Sequence, residues 1–369
     1  MTMRILAVDI GTGTQDILLF DSSGPVENSP KLVLPSPTAI AAARIRRATA
    51  SRRPVIVTGT IAGGGPCSWA IEEHLRAGLP AFATPDAART FDDDLERVRE
   101  LGITIVSDDE AVRLHAETVT LRDLDLDAIR TALAAFEVPT TFDGIAVGCL
   151  DHGEAPPGTS DRIFRFQHLA RVVQTRNDLL AFATAPADLP PYLTRARATV
   201  AAATPEAPTA FMDTGPAAAL GALHDERVSR APESLVLNLG NMHLLGFHLR
   251  GRTIASLFEH HTGEVGDSQI ETFAQRLADG SLTNDEVFSS KGHGALHLDR
   301  TIVSPQLPPV VAVTGPQRGR LARSALQPVF VAPFGDMMIA GCFGLLRAFA
   351  EIYPWARHDI EARLGTLAA

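Results

Sequence analysis

The stretch Arg4-Ile5-Leu6-Ala7-Val8-Asp9-Ile10-Gly11-Thr12-Gly13-Thr14-Gln15-Asp16-Ile17-Leu18-Leu19-Phe20-Asp21 holds two apolar runs of strand length around a polar turn with two glycines. That pattern is a β-hairpin. Gly11 and Gly13 let the backbone approach a ligand with no side chain in the way. The amides of Gly11, Thr12, Gly13 and Thr14 suit an anion. Asp9 closes the first strand beside them, where a carboxylate suits Mg²⁺ held through water. Taken alone, the same residues also describe an ordinary hairpin whose glycines only make the turn.

Asp9-Ile10-Gly11-Thr12 followed by Ile17-Leu18-Leu19-Phe20-Asp21 resembles the first phosphate loop of the actin, Hsp70 and sugar-kinase superfamily. The layout is most similar to the FGGY carbohydrate kinases. The resemblance implies an α/β fold of two actin-like ATPase (ribonuclease H-like) domains with a nucleotide cleft between them. It also implies ATP and Mg²⁺ as cofactors, with Asp9 as the metal's carboxylate.

Composition permits this. At 369 residues, 45% hydrophobic and 21% charged, the chain can fill two domain cores. A net charge of −10 gives no electrostatic support to a nucleic-acid or anionic-membrane partner. Cys67, Cys149 and Cys342 are sparse, odd in number and far apart, which argues for a reducing compartment over a disulfide framework. The first residues run straight into a strand and no apolar run approaches membrane-span length, so a cytoplasmic protein is expected.

Beyond the hairpin, strands alternate with helices, the mark of a parallel α/β layer. The expected division is an N-terminal domain over residues 1–205, with an α/β insertion at about 31–112, and a C-terminal domain over 206–369. Glu117-Thr118-Val119-Thr120-Leu121 is then expected as the third core strand. Gly63-Gly64-Gly65 follows a strand but lacks either phosphate-loop spacing, which leaves ligand contact and a plain turn equally open. The strand 143–149 ends in Leu150-Asp151-His152-Gly153, at the carboxyl edge where open α/β sheets hold ligands. Asp151 or His152 facing substrate competes there with a turn aspartate and a surface histidine. Arg162 and Arg165 follow, to meet an anionic group or solvent.

The second half supplies the counterparts. Phe211-Met212-Asp213-Thr214-Gly215 before an alanine-rich helix resembles the FGGY segment that carries the catalytic base. The resemblance assigns that role to Asp213, with Asp151 the alternative, while a bare helix cap would explain Asp213 as well. Leu237-Asn238-Leu239-Gly240-Asn241-Met242-His243 repeats the strand–glycine turn–strand pattern where the kinases have their second phosphate loop. Gly240 is kept, but Asn241, Met242 and His243 stand where small hydroxyl residues are usual. Val313-Thr314-Gly315-Pro316 resembles the adenosine motif, which makes Gly315 and Pro316 nucleotide contacts.

Glu259-His260-His261 includes three metal-ligand types, with His293 and His297 downstream. Adjacent histidines point apart and HExxH spacing is absent, so substrate contact is expected here and a metal is not. The strings around Phe258–Gly263, Gly292–Ala295 and Pro333–Met338 resemble a family that bears the name of a pyruvate formate-lyase activating enzyme. A radical activase needs three clustered cysteines, which this chain lacks.

The functional expectation is an ATP-dependent phosphotransferase acting on a small hydroxyl-bearing metabolite. The alternatives are an ATPase that drives or activates a partner protein by domain closure, and a nucleotide sensor without turnover. A homodimer or a protein partner is left open.

Overall fold

The computed structural model describes residues 2–299 and 307–367. Its first strand, β1 (Arg4–Ile10), is apolar on both faces because it divides two cores. Ile5 and Ala7 enter one core, and Leu6, Val8 and Ile10 the other. β2 (Thr14–Asp21) pairs antiparallel with β1, and β3 (Lys31–Pro35) antiparallel with β2. Ser36 then starts the insertion by capping the Pro37–Ala50 helix, its hydroxyl accepting from the Ala39 N–H at 3.2 Å. The same hydroxyl donates to the Thr12 carbonyl at 2.6 Å, which fastens the first turn to the insertion.

The insertion holds β4 (Val55–Gly59), β5 (Ala81–Ala83), β6 (Ile103–Ile105) and β7 (Glu117–Leu121). They form a parallel sheet in the order β6-β5-β4-β7, over a core of its own. The chain returns with β8 (Gly144–Cys149), parallel to β1, and β9 (Thr209–Met212), parallel to β8. The first sheet is therefore β3-β2-β1-β8-β9.

This topology shifts two sequence-based expectations. The third core strand is Lys31–Pro35, and Glu117–Leu121 is the insertion's edge strand. Glu117–Leu121 looks like a core strand because its buried residues alternate, which an edge strand shares. Thr209–Met212, expected after the division of the chain, is the fifth strand of the first sheet; the Pro205–Pro208 segment is only a connection within it.

The second sheet is built from β10 (Ser234–Leu239), β11 (His243–Arg250), β12 (Thr253–His261), β13 (Gly294–His297), β14 (Val310–Thr314) and β15 (Val329–Phe330). Its order is β13-β12-β11-β10-β14-β15, with β10 to β12 antiparallel and β14 and β15 parallel to β10. Apart from β13, strand order and polarity repeat those of the first sheet. Two such sheets are the actin-like ATPase fold, and the chain has the layout of the actin, Hsp70 and sugar-kinase superfamily.

Between the sheets lie the helices Thr214–Ala222, apolar on every side, and Ala340–Ile352, buried as far as Ala350 with Arg347 and Glu351 its only charged residues. They cross backbone to backbone. A Cβ on Gly221 would lie 1.8 Å from the Ala340 carbonyl oxygen, and one on Gly344 1.9 Å from that of Ala217. Among the described residues no helix is long and apolar enough to cross a membrane.

Candidate active site

A cavity of about 940 Å³ opens at the carboxyl ends of β1, β8, β10 and β14. Gly11, Thr12 and Thr14 line it from the first turn, and Gly240, Asn241, Met242 and His243 from the second. The two turns are built alike. The Gly11 N–H donates to the Thr14 carbonyl and the Gly240 N–H to the His243 carbonyl, each at 2.9 Å. They also touch, for a Cβ on Gly13 would lie 2.3 Å from the Asn241 side-chain nitrogen. Gly13 thus leaves room for the Asn241 side chain, although it does not itself line the cavity. Gly315 and Pro316 continue from β14 onto the same wall.

Asp9 and Asp16 face each other across the first hairpin and both line the cavity. Each is buried, and each has one carboxyl oxygen with no hydrogen-bond partner among the described residues. Burial, then the neighbouring Asp16, pushes the Asp9 pKa up to about 8; the Thr214 hydroxyl opposes this and Asp213 adds to it. Burial, eased by Thr14, pushes Asp16 up to about 7. Burial of both carboxylates, and their nearness to each other, disfavours ionising the pair.

The floor is an ion-pair network. Arg165, on the Asp161–Thr175 helix, is 1% exposed and bonds Asp213, Glu259 and the Asp151 carbonyl. Desolvation works against its charge, but Asp213 and Glu259 outweigh it and keep Arg165 firmly protonated. Burial alone would raise Glu259, yet Arg165 and the histidines around it hold its pKa well below the usual range. Asp213 faces Arg165 with one oxygen and takes the Gly215 N–H at 3.1 Å with the other, capping its helix. It lines a separate void of about 30 Å³ and not the large cavity.

Asp151 and His152 do line the large cavity. Asp151 accepts from Gly153 N–H at 2.8 Å and Ala196 N–H at 2.9 Å, and burial raises its pKa despite these bonds. Glu259 and His261 also face in, whereas His260, between them on β12, does not. Strand alternation turns His260 to the opposite face, where it meets Phe273 and bonds Ser290 at 3.2 Å. His260 is therefore removed from the expected substrate contacts.

The structure brings in one residue that sequence reading passed over and places several that it named. Asp93, from the insertion, lines the cavity, and burial and then Asp151 raise its pKa to about 6. Gly63, Gly64 and Gly65 form part of the same wall. His293 joins His152, His243 and His261 in one group of rings. Nothing in the spacing of four histidines from separate segments gives such a group away.

No curated protein matches the chain. Three solved structures align over nearly its whole length at low similarity. A Listeria monocytogenes protein titled "a putative N-acetylmannosamine kinase" is 10% identical, with 95% of this chain and 99% of that one covered and a TM-score of 0.34. The ROK hexokinase of Thermus thermophilus is 14% identical, with 95% and 100% covered and a TM-score of 0.31. A Ppx/GppA family member of Aquifex aeolicus is 9% identical, with 96% and 92% covered and a TM-score of 0.28. At these scores they add nothing to what the strand order already shows. A family profile, by contrast, spans residues 62–320, from the insertion's glycine loop through β14, and so takes in Asp93, Arg165, the histidines and the second turn. The chain belongs to the family described as "Putative pyruvate format-lyase activating enzyme (DUF1786)".

Proposed function

We propose that the protein binds ATP with Mg²⁺ in this cleft and transfers the terminal phosphoryl group to a small hydroxyl-bearing metabolite. The observation that carries this reading is the pair of equivalent turns, closed by the same 2.9 Å hydrogen bond and opening on one cavity. Backbone amides of such turns suit phosphate oxygens. Gly315, with φ +93°, leads the strand end onto the nucleoside side. The orphaned oxygens of Asp9 and Asp16 are hard donors of the kind Mg²⁺ takes, directly or through water. Bound there, the ion would neutralise charge on the phosphate oxygens.

The proton of the acceptor hydroxyl falls to a carboxylate on the cleft wall. Asp93 suits this best, because a pKa of about 6 lies near working pH. Asp151, with both oxygens on backbone N–H groups, helps to raise it. Asp213, held by Arg165 and its helix turn, acts as a positioning anion in this scheme.

The family's printed name is not adopted as an activity. An iron–sulfur centre takes clustered thiolates, and Cys67, Cys149 and Cys342 are buried in three different cores. Burial pushes the Cys67 thiol up to about 12 and raises the other two as well. That donor set does not fit a cluster.

The test is ADP release from ATP and Mg²⁺ across a panel of sugars, polyols and hydroxy acids. Stimulation by one chemical class is expected, and Asp93→Asn should lower that rate by about 10²–10⁴-fold, the usual cost of a lost general base. ADP release indifferent to every acceptor would sink phosphoryl transfer and favour an ATPase that drives a protein partner.

A further inference from the structure

We infer that His152, His243 and His293 bind one divalent transition-metal ion of the zinc class, with a coordination position left open to the cleft. The three come from separate places: the turn after β8, the first residue of β11, and the loop before β13. Their candidate ligand atoms all lie within 4.8 Å of one another. Nitrogens bound tetrahedrally to one zinc-class ion sit about 2.1 Å from it and so about 3.4 Å from one another. Shifts of at most about 0.7 Å per ring, within the reach of side-chain rotation, would close the difference.

A second observation points to a ligand. His293 is 1% exposed, and neither ring nitrogen has a hydrogen-bond partner among the described residues. A buried imidazole left unsatisfied at both ends needs an explanation. Its ring lies 4.5 Å from that of His261 and 5.0 Å from that of His243, so it points into the group and not into apolar core.

Glu259 completes the arrangement from behind. Its carboxylate stands 3.1 Å from His243 Nδ1, and an ionised carboxylate can only accept. Nδ1 therefore donates, and the lone pair of Nε2 is left for a metal. A carboxylate behind a ligating histidine is the usual second layer of a metal centre. Arg165 pairs with Glu259 behind the histidines, so what the group offers a metal is a set of imidazole nitrogens. Such a set suits zinc, iron, nickel or copper ions and not Mg²⁺. His152, His243 and His261 all border the cavity. An ion held there would keep a position for water or for a substrate oxygen, as open metal sites do.

The inference shares the cleft with the proposed reaction but not its chemistry, and it is tested without nucleotide, so either can fail alone. Metal-free protein is titrated with Zn²⁺ against a chromophoric chelator and with Co²⁺ by visible absorption. One equivalent is expected, with a Co²⁺ spectrum of low coordination number and no displacement by millimolar Mg²⁺. His152→Ala and His293→Ala should each weaken Zn²⁺ binding by about 100-fold or more, above the 10–100-fold typical of second-layer changes. His293 is buried, so His260→Ala serves as the control for fold damage. It lies beside the group yet faces away, and it should lower the melting temperature while leaving Zn²⁺ affinity unchanged. Absence of a stoichiometric site in the folded protein would overturn the inference. So would unaltered affinity in both His152→Ala and His293→Ala.

Discussion

The two turns of the cleft share a hydrogen bond, a glycine and a strand register, and differ in what they carry. Aligned by their hydrogen bonds, Asp9 corresponds to Asn238, Thr14 to His243 and Asp16 to Leu245. The first turn thus has two carboxylates where the second has an amide and an apolar residue. The second has an imidazole, backed by Glu259, where the first has a hydroxyl. Backbone geometry repeats because both sheets need the same reversal between central antiparallel strands. Side-chain chemistry does not repeat, because one cleft needs a given charge on one wall only. On the two proposals above, the first half would take a hard cation and the second a nitrogen-ligated metal ion.

The largest effect is expected where the halves are tied together. Arg165→Met leaves Asp213 and Glu259 buried without their cation, and breaking such a network costs about 3–5 kcal/mol. Denaturant unfolding measures this. A loss no larger than that from breaking the exposed Arg46–Glu73 pair would show that the halves do not depend on it.

Exchanging the turns' chemistry comes next. Asp9→Asn makes the first turn like the second and should cut Mg²⁺-dependent nucleotide affinity by about 10–100-fold, as loss of a water-mediated metal partner does. Asn238→Asp, the reverse exchange, should create no comparable Mg²⁺ dependence. Calorimetry with and without Mg²⁺ reads both, and equal responses would erase the distinction between the turns.

The carboxylates also set a pH dependence. Folding raises the Asp9 and Asp16 pKa values from 3.8 to about 8 and about 7. Between those values the folded state binds more protons than the unfolded chain, so the stability these groups contribute falls as pH rises from about 4 to 8. Without divalent ions, the fall in melting temperature from pH 5 to pH 8 should be several degrees smaller for Asp9→Asn than for the parent protein. Parallel curves would mean that Asp9 does not hold the proton.

The smallest effect concerns the contact between the turns. Gly13→Ala drives a Cβ against the flexible amide of Asn241, which can swing aside. Gly240→Ala meets the His243 carbonyl of its own turn at 2.8 Å, which cannot. Nucleotide binding should weaken less than about tenfold for the first, or ~1.4 kcal/mol, and more for the second.

Both hairpins, and most of the residues around them, were legible in the chain because strand–glycine–strand patterns are local. Asp9, Gly240, Asn241, His243 and Gly315 all line the one cavity. Lys31–Pro35 was hidden because a half-exposed edge strand carries little periodic signal, whereas Glu117–Leu121 imitates a core strand. Asp213 and Asp93 illustrate another limit. A motif shows which aspartate follows a strand, but not that an arginine 48 residues upstream in sequence will turn toward it. The histidine group could not be foreseen at all, since its members meet only after both sheets have formed.

The glycine crossing of the two central helices has a mechanical consequence. Where Gly221 and Gly344 bring backbone against backbone, there are no side chains to change rotamer when one helix turns on the other. Such a contact works as a plain bearing: rotation about it meets little resistance, while separation would forfeit the whole close approach. Any opening or closing of the cleft would then be governed by what lies between its jaws, and not by the joint. A single methyl group at either glycine would act as grit, and solution scattering with and without nucleotide is where a jammed joint would show.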